Sequence, residues 1–187
     1  MIYETPVRDD DGCYIVKART DDNKKCLIQL NTVMVQNSGQ EVQLHIKGKR
    51  HLKKIQPIDE ENIKTAIERS SEWFGKSVSE SLLTSMYSGS ITQENTLLAD
   101  KIKASKIFNA DNELSELGED AVKCNALLEF AGIWFAKKTY GPIWNVVQVK
   151  VLPEPEPEPE QAQETSEEYP EEYALNDEIS GDEDEDE

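Results

Sequence analysis

The stretch "AVKCNALLEFAGIWFAKKTYGPIWNVVQVKVL", residues 121–152, holds two apolar runs separated by a break. Lys137-Lys138-Thr139-Tyr140-Gly141-Pro142 interrupts the first run, while Val146, Val147, Val149 and Val151 fill the second with residues of high strand preference. Two strands joined around "KKTYGP" account for the block. Alternation along the first sets Trp134 on the face opposite Phe135, so one ring of the pair faces a core.

Working outward, "DKIKASKIF" (100–108) predicts a further strand, followed by a polar loop over 109–120. Near the start, "CYIVKAR" (13–19), "KCLIQLNTVMV" (25–35) and "EVQLHIKG" (41–48) alternate β-branched with polar residues, with Asn37-Ser38-Gly39 as the turn between the last two. Between these sets the period becomes helical. In "PIDEENIKTAIERSSEWFG" (57–75), Ile63, Ala66, Ile67 and Phe74 share a face, Asp59 reads as the cap and Gly75 as the terminator. "SESLLTSMYSG" (79–89) predicts a second, shorter helix. The resulting order is β-β-β-α-α-β-β-β. It is mainly β with a helical insertion at 57–90 (α+β), and suits an OB-fold-like Greek-key barrel over residues 1–152 better than an open parallel sheet.

Charge divides the chain differently. Its net charge is −18, yet residues 154–187 carry 17 acids and no base, which leaves 21 acids against 20 bases before them. The Pro-Glu repeat and near absence of apolar residues predict a disordered acidic tail over 153–187. Cys13, Cys26 and Cys124 are few and widely spaced, and no run approaches the ~20 apolar residues of a membrane span. The expectation is a soluble protein of the cytoplasm or nucleus of a host, with no membrane partner.

Motifs for catalysis fall short. Gly75-Lys76-Ser77 matches the end of a phosphate-binding P-loop, but Ser70 stands where the first glycine is required. His45 and His51 lack ligand-spaced partners, and a calcium loop starting at Asp9 would put Thr20 where a bidentate Glu belongs. No enzyme, cofactor or metal is expected.

Binding residues are easier to find. "KGKRHLKK" (47–54) has five bases in eight residues, and no acid lies between Val42 and Ile58. Read as a strand end, it offers Lys47, Lys49, Arg50, Lys53 and Lys54 to phosphates; read otherwise, it is a solvated edge. "GIWFAKKTYGPIW" (132–144) interleaves aromatics with Lys137 and Lys138, and Lys101, Lys103 and Lys106 punctuate the preceding predicted strand. Single-stranded nucleic acid needs both a cationic path and flat rings for base stacking. Tyr140, beside the two lysines, and Trp134 are the stacking candidates. A tethered polyanion could then compete for the same groove.

The strand with "GIWF", the lysine-bearing turn with Tyr-Gly, the closing "VVQVKVL" and the acidic tail together resemble the acidic-tailed single-stranded-DNA-binding proteins of phages and large nucleocytoplasmic DNA viruses. "EWFGK" resembles viral members more loosely. The resemblance implies an OB-fold core, sequence-independent binding of single-stranded DNA in replication or recombination, self-association, and tail contacts with replication proteins such as polymerase or helicase. Unlike several phage members, this chain ends "GDEDEDE" rather than in an aromatic residue. The rival reading is an acidic-tailed chaperone or structural virion protein that binds basic proteins.

Overall fold

A computed structural model describes residues 1–9 and 12–153. Asp10, Asp11 and the acidic residues 154–187, on which the expectation of a disordered tail falls, lie outside the described residues. Along the chain come β1 (Ile2–Tyr3), β2 (Val7–Arg8), β3 (Tyr14–Arg19), β4 (Cys26–Ser38), β5 (Glu41–His45), α1 (Lys49–Glu68), α2 (Ser70–Phe74), α3 (Glu80–Met86), β6 (Thr96–Phe108), β7 (Val122–Phe135) and β8 (Tyr140–Val151). The expected order holds, with two short strands added at the start and the first helix divided near Arg69.

Five strands close a ring in the order β4-β5-β6-β8-β7, with β7 returning to β4. Every pairing in it is antiparallel except β6 with β8, where Asp100 faces Asn145 and Phe108 faces Lys150. Numbered by appearance, the ring runs 1-2-3-5-4-1 with the third and fifth strands parallel, which is the connectivity of an OB-fold barrel. β3 stands outside the ring and pairs with the far end of β7, from Tyr14 opposite Phe135 to Lys17 opposite Gly132. The barrel interior follows the alternation of its strands: Val33 and Val35, Val42 and Leu44, Leu97 and Ala99, Ala126 and Leu128 are all buried. No helix among the described residues is long and apolar enough to cross a membrane.

The helical insertion starts earlier than the sequence suggests. α1 begins at Lys49, so all of "KGKRHLKK" after Lys47 and the capping Gly48 is helix and not a strand end. Three things point the other way in sequence: bases at the positive end of a helix oppose its dipole, Pro57 reads as a first helical residue, and Asp59 reads as a cap. Tertiary contacts override them. A bulge in β4 between Leu30 and Val33, with Thr32 at φ 55°, interrupts the ladder at Asn31, and β5 pairs with β4 only from Met34 onward. Arg50 and His51 Nε2 bond the Asn31 carbonyl at 3.1 and 2.8 Å, and Lys54 Nζ donates to the Gln29 carbonyl at 2.6 Å. The buried stripe of α1 is Ile55, Ile58, Asn62, Thr65 and Ala66, while Ile63 and Ile67 are half-buried. Gly75, at φ 67°, closes α2 as expected.

Gly132 sets how closely β3 can approach β7. Its φ is 151°, and a Cβ there would stand 2.0 Å from the Val16 carbonyl oxygen and 2.9 Å from its carbon. Backbone cannot yield as a flexible side chain would. Gly132→Ala is therefore expected to cost at least the ~1–3 kcal/mol of an overpacked core, read as a lower urea midpoint, and to speed amide exchange in β3. A variant of parental stability with β3 still protected would show that the strands can separate without cost.

Candidate nucleic-acid interface

The ring's outer face carries a groove where β3 extends it. Val16 and Ala18 point inward, so Ile15, Lys17 and Arg19 face out. With Lys25, Ala131 and Ile143 they border a depression of about 390 Å³. A neighbouring depression of about 300 Å³ is lined by Leu98, Asp100, Trp134, Pro142 and Ile143. The two meet at Ile143 and together cross β6, β8, β7 and β3.

One wall of the second depression is the segment 88–90, fixed by a polar network rooted in α1. Asp59 accepts from the Ser90 backbone N–H at 3.0 Å, the Ser90 hydroxyl at 2.6 Å and the Tyr87 hydroxyl at 2.7 Å. Trp144 Nε1 donates to Ser90 Oγ at 2.9 Å, tying the wall to β8. Asn62 donates to the Tyr87 hydroxyl and accepts from that of Tyr3, reaching β1. Burial, with the Asp59 charge adding to it at Tyr87, holds both phenols far above their ordinary range, so they remain donors at all working pH.

The groove's charge is mixed. Lys25 pairs with Glu129 at 3.1 Å and Arg19 with Glu4 at 3.4 Å, whereas Lys17 has no ion pair among the described residues. Asp100 lies directly opposite Glu41, and burial pushes its carboxyl up. Between Lys101 and Lys106 the β6–β8 register shifts. Ser105 Oγ accepts from the Ile102 N–H and donates to the Val146 carbonyl, which holds a bulge that presents Lys103 to solvent.

Of the residues proposed from sequence, Trp134 lines this groove and Lys103 stands at its bulge. The rest are dispersed. Lys49, Arg50, Lys53 and Lys54 lie on α1, with Arg50 and Lys54 bonded to β4, and Lys47 is exposed just before the helix. Lys101 bonds Asn37 Oδ1 at 2.7 Å, near the β4–β5 turn. Lys137 and Lys138 are exposed in the β7–β8 turn.

Tyr140 is a correction. It is 0 % exposed, with its ring against Phe74 and Tyr87 edge-on and Phe135 stacked at 5.8 Å, so it offers no face to a base. Lys137 and Lys138 are exposed in the turn, whereas Thr139 is half-buried and Tyr140 is already the first residue of β8. Sequence reasoning missed Lys17, Arg19, Lys25 and Ile143. Lys17 and Arg19 were visible as the polar half of the "YIVKAR" alternation.

A family model described as "Family of unknown function (DUF5871)" matches residues 31–177. The chain belongs to that family. The match begins inside β4, so β3 with Lys17 and Arg19 precedes it. No curated protein matches the sequence. Among solved structures, the chain is similar to the single-stranded DNA-binding protein from bacteriophage Enc34, at 14 % identity over 89 % of this chain and 98 % of that one, with a TM-score of 0.48. The same protein in complex with ssDNA gives 13 % identity over 82 % and 97 %, with a TM-score of 0.46.

The Tyr140 hydroxyl has no hydrogen-bond partner among the described residues, and burial pushes its pKa up to about 12. Deleting an unpaired buried hydroxyl removes a desolvation cost, so Tyr140→Phe should equal or exceed the parent in stability, by up to ~1–3 kcal/mol. Tyr140→Ala, which empties the aromatic cluster, should lose ~3–5 kcal/mol. Chemical denaturation checks both; a clear loss in the phenylalanine variant would mean that the hydroxyl is bonded.

Proposed function

We propose that the chain binds single-stranded DNA without sequence preference, along the groove that crosses β6, β8, β7 and β3. The observation that carries this is the junction of the two depressions at Ile143, with the half-buried ring of Trp134 on one side and Lys17, Arg19 and Lys25 on the other. OB-fold barrels bind oligonucleotides on the face of their second and third strands, here β5 and β6; the groove touches that face at Glu41, Leu98 and Asp100 and runs from it across β8 and β7 to β3. A base stacked on Trp134 would supply contact that every base can make, and the β3 cations with Lys103 would follow the backbone. The mixed charge of the groove fits modest electrostatic attraction, with stacking carrying much of the affinity.

Residues 154–187, with 17 acids and no base, belong to the same proposal as a tethered polyanion that competes with the strand at low ionic strength. Roles in replication or recombination, contacts of that segment with a polymerase or helicase, and self-association extend the same reading.

Fluorescence titration with oligo-dT tests the site. Trp134→Ala should lose ~1–3 kcal/mol of affinity with the salt slope intact. Lys17→Ala and Lys103→Ala should each flatten the dependence on log salt by ~0.7. Unchanged slopes in both lysine variants would remove the groove as the path of the strand. Preference for a basic histone peptide over oligo-dT would favour the rival reading, a binder of basic proteins.

A further inference from the structure

A groove read as the path of a polyanion contains two acids that no cation neutralises. Glu41 and Asp100 stand directly opposite each other across β5 and β6. Their strand neighbours Val42 and Ala99 are buried in the barrel, so alternation turns both carboxylates to the outer face, which they share with Leu98. Like charges placed directly opposite destabilise a sheet. No ion pair among the described residues includes either acid, and Lys101, next in sequence to Asp100, gives its Nζ to Asn37 instead. Asp10, Asp11 and residues 154–187, which lie outside the described residues, hold no basic side chain that could pair with them. Glu129, in the adjoining depression, is by contrast held by Lys25 at 3.1 Å.

Both carboxylates line the depression of about 300 Å³ that Trp134 also borders, a volume at the lower end of small-ligand sites. An ionised carboxylate only accepts hydrogen bonds. Along a DNA strand the phosphates and the internal deoxyriboses have no donor to give it, so only the edge of a base can satisfy Glu41 or Asp100. Bases differ sharply in what that edge offers. Guanine presents N1–H and an amino group side by side, which matches the two oxygens of one carboxylate, and cytosine and adenine each present an amino group. Thymine has a single N3–H, flanked by two carbonyl oxygens that a carboxylate repels.

We propose that Glu41 and Asp100 make the Trp134 depression a subsite that selects a base bearing an amino group, with guanine held best and thymine worst. The proposal rests on the single-stranded DNA reading of the groove. Selection is confined to this one position. Lys17, Arg19 and Lys103 follow the backbone, which is alike at every nucleotide, so a strand of mixed sequence shifts its register until a suitable base reaches the depression. Long mixed strands are therefore bound alike. The same two acids repel any phosphate from the depression, which keeps the backbone on the cationic side of the groove.

The test titrates the full chain with short oligo-dT and with strands of the same length in which one central nucleotide is dG or deoxyinosine, whose base keeps the purine rings and N1–H but lacks the amino group. The dG strand should bind at least about 5-fold more tightly than oligo-dT, the lower end of what one bidentate base contact is worth, and the deoxyinosine strand should lose most of that gain. In the double variant Glu41→Gln, Asp100→Asn every strand should bind more tightly, because two negative charges are gone. That general gain cancels in the ratio of dG strand to oligo-dT, which should fall toward one. Equal affinity of the parent for the dG strand and oligo-dT, a deoxyinosine strand that binds like the dG strand, or a ratio unchanged in the double variant would each overturn the proposal. The groove survives any of these if Trp134→Ala still weakens oligo-dT binding. If the unaltered chain binds none of the strands, the groove reading falls and the subsite falls with it.

Discussion

The parallel pairing of β6 with β8, from Asp100 opposite Asn145 to Phe108 opposite Lys150, converts a meander into a ring. Parallel neighbours cannot be joined by a hairpin, so the chain must cross between them. It does so through β7, which pairs with β8 along almost its whole length and with β4 on its other edge. Closure therefore depends on one strand having both edges occupied. Where β4 leaves off near Phe130, β3 takes over the same edge from Gly132 onward, and no stretch of β7 between Val122 and Phe135 is left to pair with another chain. The groove follows from that handover, since it crosses the β3–β7 end.

The helices add a polar scaffold to an apolar barrel. Asn62 and Asp59 lie on one side of α1, the first fully buried and the second half-buried, and between them they bond Tyr3, Tyr87 and Ser90. Each buried group has its partner, so the network positions β1, the 88–90 wall and Trp144 together without leaving an orphan charge. The other end of α1 serves a different need. Its bases satisfy the Asn31 carbonyl in the β4 bulge and the Gln29 carbonyl just before it, and these charge-assisted bonds offset the unfavourable dipole.

The strands and their order were legible because a period of two with β-branched residues has few other readings, and the OB-like ring followed from where the helical insertion sits. The start of α1 was not legible. Gly48 caps it without a side-chain bond, and the signals that usually mark a helix start, Pro57 and Asp59, lie eight and ten residues inside it. What holds the first turns is tertiary, the bonds of Arg50, His51 and Lys54 to β4 and the burial of Ile55, and none of it is announced locally. For the site, alternation correctly separated Trp134 from Phe135, but nothing local told that Tyr140 is the centre of an aromatic plug.

That plug explains why adjacency in sequence overstated the interface. In "GIWFAKKTYGPIW", cations and rings look like one surface, yet Phe135 and Tyr140 stack on each other at 5.8 Å and Trp144 is buried with its N–H given to Ser90. A barrel end must be closed by something large, and aromatic rings bury more area than any aliphatic residue. Three of the four rings in the segment are drawn toward that packing, and Trp134 borders the groove because the pleat turns it outward. The exposed aromatic missing from this segment is supplied by β3, where Tyr14 faces solvent across from Phe135. A strand outside the ring thus carries an exposed aromatic, Tyr14, together with the cations Lys17 and Arg19. The added strand widens the outer face of an otherwise closed barrel and forms one side of the depression that meets its neighbour at Ile143.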